Sequence, residues 1–173
     1  MILRREHGAD RDAIFAVHTA AFGRPDGGGG GDVPEARLVD ALRDDGNIVA
    51  GLSVVATLDA AVVGHVVCSR ATAGDHPVLG LGPLGVVPEF QRRGVGSALM
   101  YAVLAAADAL DESAVVLLGD PGYYCRFGFE PADSLGLGAP DPAWGVHFQV
   151  RPMSAWDPSV RGSVRYASAF DRL

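Results

Sequence analysis

The sequence predicts an α/β fold of the α+β type, in which helices flank a mixed, mostly antiparallel sheet. Three observations support this prediction: two amphipathic helices precede a β-hairpin, an apolar strand leads through a glycine-containing turn into a long helix, and a second apolar strand follows that helix. The chain has 173 residues, of which 49% are hydrophobic and 20% charged, so it is long enough to bury a core. We therefore treat residues 1–173 as a single domain.

The first two predicted helices lie on either side of a run of glycines. Residues 10–22 form the first helix, with Asp10 as a candidate N-cap. Its apolar face consists of Ile14, Val17, Ala21 and Phe22. The second helix begins with a capping box at residues 32–35 and runs to about residue 43. Its expected core residues are Leu38, Val39 and Leu42. The glycines at 27–31 predict a mobile flap and not a phosphate-binding loop, because no Gly-Lys-Ser/Thr follows them.

Three strands are predicted next. Residues 48–58 and 61–70 are β-rich on either side of the turn signal Asp59-Ala60, which predicts a β-hairpin. Residues 77–87 form the third strand. Pro83 predicts a bulge or a sheet edge in this strand, because proline cannot donate a hydrogen bond within a ladder.

The second half of the chain is predicted to contain one long helix and several shorter elements. Residues 94–110 form the helix, with apolar residues at helical spacing. These are Val95, Ala98, Leu99, Ala102, Val103, Ala106 and Leu110. A fully apolar strand covers 114–118, and a short helix or turn covers 121–127. Further strands are expected around 146–151 and 164–170.

Charge and cysteine content narrow the function classes. The net charge of −7 disfavours binding to nucleic acid phosphates and suits a cationic substrate such as an amine. No signal-peptide-like run opens the chain and no stretch reaches the about 18 apolar residues that span a bilayer, so we expect a cytoplasmic protein that binds no membrane. Cys68 and Cys125 offer neither a disulfide framework nor metal-ligand spacing, so we expect no metal.

Residues 84–97 are the most informative part of the sequence. They read as an apolar strand, a sharp turn with two arginines and the start of a helix that contains Gly94 and Gly96. Backbone N–H groups in the first turn of a helix have no partner within the helix, and the helix dipole attracts anions there. The segment therefore predicts a site for a phosphorylated ligand. The candidate residues are Gln91, Arg92, Arg93, Gly94, Val95, Gly96 and Ser97.

The arginines and the glycine spacing of this segment each need interpretation. Arg92 and Arg93 either add charge to the site or are solvated surface residues, because the amides alone can carry the contact. A Rossmann dinucleotide site is excluded, because Leu99 stands where a third glycine would be needed and the nearest acidic residues precede the next strand.

Two motifs in the middle of the chain resemble one family. The pattern Gln-x-x-Gly-x-Gly at 91–96 follows a strand ending in Val-x-Pro, and the segment 124–129 reads Tyr-Cys-Arg-Phe-Gly-Phe after the next strand. Together they resemble the acetyl-CoA site and the Tyr-x-x-x-Gly-Phe signature of the GNAT superfamily of N-acetyltransferases. The fuller segment 119–129 is similar to a bacterial subgroup of predicted N-acetyltransferases. The resemblance covers about residues 79–131.

The resemblance implies the acyl-CoA N-acyltransferase fold. Acetyl-CoA would enter a V-shaped opening between strands 79–87 and 114–118, within a cofactor core at about 77–131 and ahead of a C-terminal extension at 132–173. It further implies that the pantetheine arm pairs with the main chain of the first of these strands. One N–H of that strand would polarise the thioester carbonyl. The candidate residues there are Leu84, Gly85 and Val86.

Two residues are the candidates for proton transfer. Tyr124 matches the position of the family's general acid, and the alternative is an aromatic residue of the core or pocket wall. Glu35 follows the glycine flap and is the candidate general base, although its place in the capping box explains it equally well. Water could also serve as the base.

Other side chains have a structural and a functional interpretation. His65 and His76 are either structural or part of a proton relay. Cys125 could form an acetyl-cysteine, but without a nearby partner we expect a buried, inert thiol. Tyr123 is expected to pack in the core or to line the cofactor pocket. The aromatic residues that could line an acceptor pocket or pack the core are Trp144, Phe148 and Trp156.

The function expected from this reading is direct transfer of an acetyl group from acetyl-CoA to a primary amine in a ternary complex, with a small-molecule amine favoured. The alternatives are a protein N-terminal or lysine acetyltransferase and a non-catalytic CoA-binding sensor. The partners are therefore acetyl-CoA and an amine acceptor, and the sequence leaves a homodimer open.

Overall fold

The computed structural model describes residues 1–23 and 33–172. The predicted glycine flap and Asp32 lie outside these residues. The strands are β1 (Ile2–Arg5), β2 (Ile48–Leu58), β3 (Ala61–Ala73), β4 (His76–Val86), β5 (Ala114–Leu118), β6 (Glu130–Pro131), β7 (Leu137–Gly138), β8 (Phe148–Pro152) and β9 (Gly162–Arg165). The helices are α1 (Arg11–Phe22), α2 (Pro34–Asp44), α3 (Val95–Ala109) and α4 (Pro121–Tyr124). Short 3₁₀ helices cover Gly8–Asp10, Pro88–Phe90, Cys125–Phe127, Ala132–Leu135, Pro142–His147 and Ser168–Arg172.

The strands form one mixed sheet. Its main order is β1-β2-β3-β4-β5-β8-β6, and every neighbouring pair along it is antiparallel except β4 and β5, which are parallel. Strand β9 pairs with the end of β3, and β7 runs parallel to β9. The predicted mixed, mostly antiparallel sheet is confirmed. The four-residue strand β1 was not predicted, because its short polar sequence lacks a clear alternation of apolar residues.

The predicted hairpin and the irregularity in the third strand are both confirmed. Asp59 and Ala60 form the hairpin tip with positive φ angles of 49° and 65°. Between the pairs Val66↔Leu84 and Cys68↔Leu81, β4 contains one residue more than β3, which is a β-bulge. β4 lies between β3 and β5, but its pairing with β5 stops at Gly80, so Pro83 also lies where one side of the strand is unpaired.

Helices cover both faces of the sheet. On one face, Ile14 of α1 and Val39 of α2 pack against Val55 and Val67. On the other face, α3 packs on the main core through Val95, Leu99, Met100, Val103, Leu104 and Ala107. Leu110, which the helical spacing placed on this apolar face, lies just beyond the end of α3 and is exposed.

The C-terminal extension returns to the α2 face of the sheet. Strand β9 ends at Arg165, and the chain then turns into the 3₁₀ helix Ser168–Arg172. The predicted strand at 164–170 is therefore wrong beyond residue 165. Ala169 of this helix packs against Leu42 of α2, and Arg172 pairs with Asp45 at the end of the same helix.

Candidate active site

The sheet opens between β4 and β5. Their ladder is limited to the pairs Leu79↔Val115 and Gly80↔Val116, whereas β5 pairs with β8 along its whole length on its other side. A strand that has lost its neighbour presents free N–H and C=O groups on that side. The predicted V-shaped opening is present, on the C-terminal half of β4.

The ladder of β3 and β4 decides which main-chain groups face the opening. The Val87 N–H donates to the Val63 carbonyl at 3.0 Å, and the same register pairs Gly85 with His65. Antiparallel partners alternate between bonded and non-bonded pairs, so Gly85 bonds to β3 while Leu84 and Val86 turn their main chain away from it. Of the three residues predicted to pair with the pantetheine arm, only Leu84 and Val86 have main-chain groups that face the opening.

A cavity of about 620 Å³ lies beside this part of β4. It is lined by Leu84, Val86, Gln91, Arg92, Gly94, Gly96, Ser97, Tyr123 and Arg126. The Gln91 side chain donates from Nε2 to the Val86 carbonyl at 2.9 Å, which holds the turn against the strand. The predicted glycine turn and the predicted cofactor strand thus border one cavity.

The N-terminus of α3 opens into this cavity. Gly94 is the N-cap, with a left-handed φ of 85° and no atom within 4 Å of a Cβ placed on it. The first intrahelical bond runs from the Ala98 N–H to the Gly94 carbonyl at 2.9 Å, so the amides of 95–97 have no acceptor within the helix. Val95 itself contributes only its amide, because its side chain is buried in the core. These residues fit an anionic diphosphate.

Two arginines line the cavity, but only one of them was predicted. Arg92 lies on the lining, whereas the Arg93 guanidinium stacks over Phe90 at 5.8 Å from the ring centroid. Arg126 is the second lining arginine and stacks over Tyr123 at 4.9 Å. The signal for Arg126 was its place within the predicted tyrosine motif, beside the two tyrosines.

A larger cavity, of about 940 Å³, lies on the other side of Leu84. Its apolar lining includes Phe22, Leu38, Leu81, Gly82, Pro83, Leu84, Leu118, Ala139, Pro140, Trp144, Val164 and Phe170. Its polar lining includes Glu35, Tyr124, Asp141, Ser163, Arg165, Tyr166 and Asp171. Leu84 lines both cavities, so they meet at β4. The sequence did not predict three of these lining residues, Tyr166, Phe170 and Asp171. We expected a strand at 164–170, whereas the chain turns there into a 3₁₀ helix.

Tyr124 and Glu35 both lie on the larger cavity. Burial, and to a lesser degree the neighbouring Tyr123, raises the pKa of Tyr124 to about 12, so its hydroxyl keeps its proton at neutral pH. Glu35 does not complete the predicted capping box, because Val33 is the N-cap of α2 and Glu35 stands at the second helical position. Its carboxylate accepts no hydrogen bond from another described residue and is left facing the cavity.

His65 belongs to a buried hydrogen-bonded array that the sequence did not reveal. Ser53 Oγ donates to Glu6 at 2.5 Å and lies 2.8 Å from His65 Nε2, and His65 Nδ1 lies 2.8 Å from His18 Nε2. Since the serine proton is given to Glu6, each histidine donates from Nε2 and carries a lone pair on Nδ1. His18 Nδ1 has no partner among the described residues and lies 2.6 Å from where a Cβ on Gly85 would be, which explains glycine there.

The charges of this array follow from its burial. Burial, with a smaller contribution from His65, lowers the pKa of His18 to about 3, and burial also lowers the pKa of His65. Burial raises the pKa of Glu6, but hydrogen bonds from His65, Arg43 and Ser53 outweigh it and bring the value to about 2. The array is therefore two neutral histidines ending at an ionised carboxylate.

The remaining candidates fall in different places. His76 is exposed at the opposite end of β4 from the opening. The expectation of a buried Cys125 is wrong. Cys125 begins the 3₁₀ helix that follows α4, and its thiol is exposed to solvent. Trp144 lines the larger cavity, whereas Phe148 is buried in the core and Trp156 packs at its margin.

The model of the acetyltransferase (GNAT) family matches residues 16–129 of the chain. The chain belongs to the GNAT acetyltransferase family. The matched range includes the strand, turn, helix and tyrosine segment described above. The superfamily and the acyltransferase class predicted from the two motifs are therefore confirmed, with acetyl-CoA as the acetyl donor of the family.

Relatives of this GNAT chain extend over nearly its whole length. The N-acetyltransferase YjhQ of Escherichia coli K12, named as uncharacterized, is 33% identical over 92% of this chain and 88% of its own. The crystal structure of E. coli YhbS in complex with CoA is 32% identical, with a TM-score of 0.88 over 99% of this chain and 92% of that one. A GNAT acetyltransferase from Brucella melitensis in complex with acetyl-CoA is 34% identical, with a TM-score of 0.78 over 98% and 97% of the two chains.

These likenesses confirm the predicted acyltransferase fold. In the part of the GNAT chain that the structure describes, no helix is long and apolar enough to cross a membrane. The same residues contain no group of three or more His, Cys, Asp or Glu side chains placed to hold a metal ion.

Proposed function

We propose that this protein transfers the acetyl group of acetyl-CoA directly to the primary amine of a small molecule. The observation that carries the proposal is the meeting of two cavities at Leu84. One cavity presents helix amides and arginines to an anion, and the other presents carboxylates and a protonated tyrosine to an acceptor. A donor and an acceptor bound in the two cavities would be held next to each other, which supplies much of the rate of a two-substrate reaction.

The smaller cavity binds the donor in this proposal. The amides of 95–97 hold the diphosphate, and Arg92 and Arg126 add positive charge. Main-chain groups of Leu84 and Val86 pair with the amides of the pantetheine arm, as an added strand would. One of their N–H groups donates to the carbonyl oxygen of the thioester and stabilises the charge that develops there, an effect worth about 3 kcal/mol.

The larger cavity holds the acceptor amine and the proton donor. Acetyl-CoA supplies an activated thioester; the amine nitrogen forms a bond to the carbonyl carbon while the carbon–sulfur bond breaks. Glu35, directly or through a water molecule, takes the proton that the ammonium loses. Tyr124 donates a hydrogen bond to the departing sulfur; with a pKa of about 12 it is a weaker acid than a thiol, so it stabilises the thiolate without giving up its proton fully. The products are the acetamide, coenzyme A thiol and one proton.

The shape of the larger cavity favours a small molecule over a protein substrate. Residues after 138 close one side of it, with the loop at Pro140 and Asp141 and the last 3₁₀ helix at Phe170 and Asp171. A protein lysine or N-terminus needs an open groove for the chain on either side of it. The volume of the larger cavity is within the range of about 300–1,000 Å³ that is common for small-ligand sites.

Release of coenzyme A thiol from acetyl-CoA tests the proposal, with a panel of primary amines and a lysine-containing peptide. We expect turnover with at least one small amine at a kcat/KM well above that for the peptide. Coenzyme A binding measured by calorimetry without turnover on any amine would support the sensor alternative, and faster acetylation of the peptide would support the protein alternative.

Direct transfer has a separate test. The exposed Cys125 is the thiol most able to carry an acetyl group, so Cys125→Ser should retain full turnover, and intact-mass spectrometry after incubation with acetyl-CoA alone should show no acetylated protein. A stable acetyl adduct that disappears in Cys125→Ser, together with lost turnover, would contradict direct transfer.

A further inference from the structure

We infer that the acceptor is a primary amine with a flat apolar body, such as an aryl-alkyl amine, and not a polar amine or a polyamine. The inference rests on the proposed function and specifies which amine the larger cavity takes. It is carried by two sets of residues that line this cavity: free carboxylates, called here the carboxylate side, and aromatic rings, called here the aromatic side.

The carboxylate side favours the cationic form of the acceptor. Among the described lining residues, Glu35, Asp141 and Asp171 are acidic and Arg165 is basic. Asp141 accepts a hydrogen bond from the Ala143 N–H at 2.8 Å, and Arg165 donates to the Gly74 carbonyl at 3.2 Å. Glu35 and Asp171 accept none from described residues, so their charges are the ones available to a ligand.

The two free carboxylates lie on neighbouring elements. Glu35 is at the start of α2, and Asp171 is in the 3₁₀ helix that packs on α2 through Ala169 and Leu42. An ammonium group between these elements would neutralise charge that is otherwise unpaired. Glu35 is half-buried and Asp171 is exposed, so their negative charge attracts a cation and repels an anion.

The aromatic side favours a flat, apolar body. Tyr166 and Phe170 stack with their ring centroids 4.6 Å apart and 29° between their planes, and Trp144 lies 6.5 Å from Tyr166. All three rings line the cavity. A polar amine would leave these rings in contact with water, whereas an apolar group of matching shape would remove them from it, which favours binding of the apolar group.

A matched pair of amines tests the inference. 2-Phenylethylamine and ethanolamine both carry a primary amine on two carbons and differ in the phenyl or hydroxyl group at the other end. We expect kcat/KM for 2-phenylethylamine to exceed that for ethanolamine by about tenfold or more, because of apolar burial. Putrescine, which has two cationic ends and no ring, should resemble ethanolamine. Faster turnover of ethanolamine or putrescine would overturn the inference while leaving the proposed function in place.

Variants connect the preference to the two sides of the cavity. Trp144→Ala should reduce the preference for 2-phenylethylamine about fivefold through KM, and Asp171→Asn should raise KM for all of the amines. Trp156→Ala is the matched control, because Trp156 packs against the same apolar cluster outside the cavity lining. Asp133→Asn, an exposed carboxylate away from the cavity, controls for net charge. If Trp144→Ala and Trp156→Ala change the preference equally, the assignment to the aromatic side is wrong.

Binding separates this inference from the proposed function. Calorimetric titration of the coenzyme A complex with either amine needs no turnover. If 2-phenylethylamine binds about tenfold more tightly than ethanolamine and neither is acetylated, the proposed transfer fails and the cavity preference is supported. If they bind equally, the inference is overturned whatever the turnover.

Discussion

At the scale of the residue, two adjacent tyrosines divide the site between them. Tyr124 faces the larger cavity, whereas Tyr123 lines the smaller one and places its hydroxyl 3.0 Å from the position of a Cβ on Gly96. Their rings meet edge to face, with perpendicular planes and a centroid distance of 4.9 Å. One step along a short helix is therefore enough to place one phenol on each cavity.

Tyr124→Phe should reduce kcat about 100-fold and leave KM for acetyl-CoA unchanged, because it removes a hydrogen bond that forms only as the sulfur departs. Since the pKa of Tyr124 is about 12, the wild-type rate should show no alkaline decrease from this residue across pH 7–10. Steady-state thiol release over that pH range measures both. Tyr123→Phe is the comparison and should alter KM for acetyl-CoA instead. An unchanged kcat in Tyr124→Phe would contradict its role as a hydrogen-bond donor to the departing sulfur.

The sequence could not decide which arginine side chains line the smaller cavity. The motif predicted the turn and the start of α3, but the direction of a long side chain depends on neighbours that are distant in sequence. Arg92 adopts a left-handed φ of 57°, Arg93 stacks on Phe90, and Arg126 reaches the cavity from the segment after β5.

Arg126→Ala should raise KM for acetyl-CoA about fivefold to tenfold and make binding less dependent on salt, because a lining charge near the diphosphate is lost. Arg93→Ala is the matched control and should have little effect, since that guanidinium is not on the cavity lining. Calorimetry at two salt concentrations measures the difference. Equal losses in the two variants would show that only the overall charge of the loop matters.

At the scale of the element, the N-terminus of α3 is the part most completely predicted from sequence. Strand, turn, glycines and helical periodicity all indicate the same local structure, so no distant contact was needed to find it. The divergence of β4 from β5 is different. It came from the family resemblance, because it depends on where the pairing of β4 with β5 stops, which no local pattern shows.

Gly94→Glu should abolish measurable CoA binding, because it places a carboxylate where the diphosphate is expected and strains a position with a φ of 85°. Gly46→Glu is a close control: Gly46 also has a positive φ, of 70°, and no atom within 4 Å of a Cβ, and it lies at the end of α2 away from the cavity. The control should lose some stability and keep its affinity. Retained affinity in Gly94→Glu would contradict the position of the phosphate site.

At the scale of the whole molecule, a buried polar array joins the first strand, the first helix and the hairpin. Glu6 follows β1, His18 is on α1, and Ser53 and His65 are on β2 and β3. The sequence indicated His65 as a lone histidine in an apolar strand. It could not reveal the array, because its members lie up to 59 positions apart and meet only in the folded sheet.

This array predicts that the protein loses stability as the pH falls below about 6.5. Because burial depresses the pKa of His18 to about 3 and also lowers that of His65, the unfolded chain binds more protons than the folded one in this window. Each such histidine contributes about 1.4 kcal/mol per pH unit. Chemical denaturation between pH 5.5 and 7 measures the slope, above most of the range in which Glu6 titrates when unfolded.

His18→Gln should reduce the slope of the free energy of unfolding against pH by the contribution of about one titrating group. This holds whatever the effect of the variant on stability at neutral pH. His76→Gln is the control and should keep the full slope, because His76 is exposed at the start of β4. A slope unchanged in His18→Gln would mean that this imidazole is not held neutral in the folded protein.

The match to the family model ends at residue 129, yet Trp144, Tyr166 and Phe170 lie beyond it. Under the proposed function, these three rings beside the acceptor come from outside the family match, whereas Glu35, Tyr124 and the turn at 91–97 lie within it. We expect that exchange of residues 130–173 for those of another member would change the preferred amine and leave the affinity for acetyl-CoA unchanged. The amine accepted by such an enzyme could then be altered without altering the cofactor site.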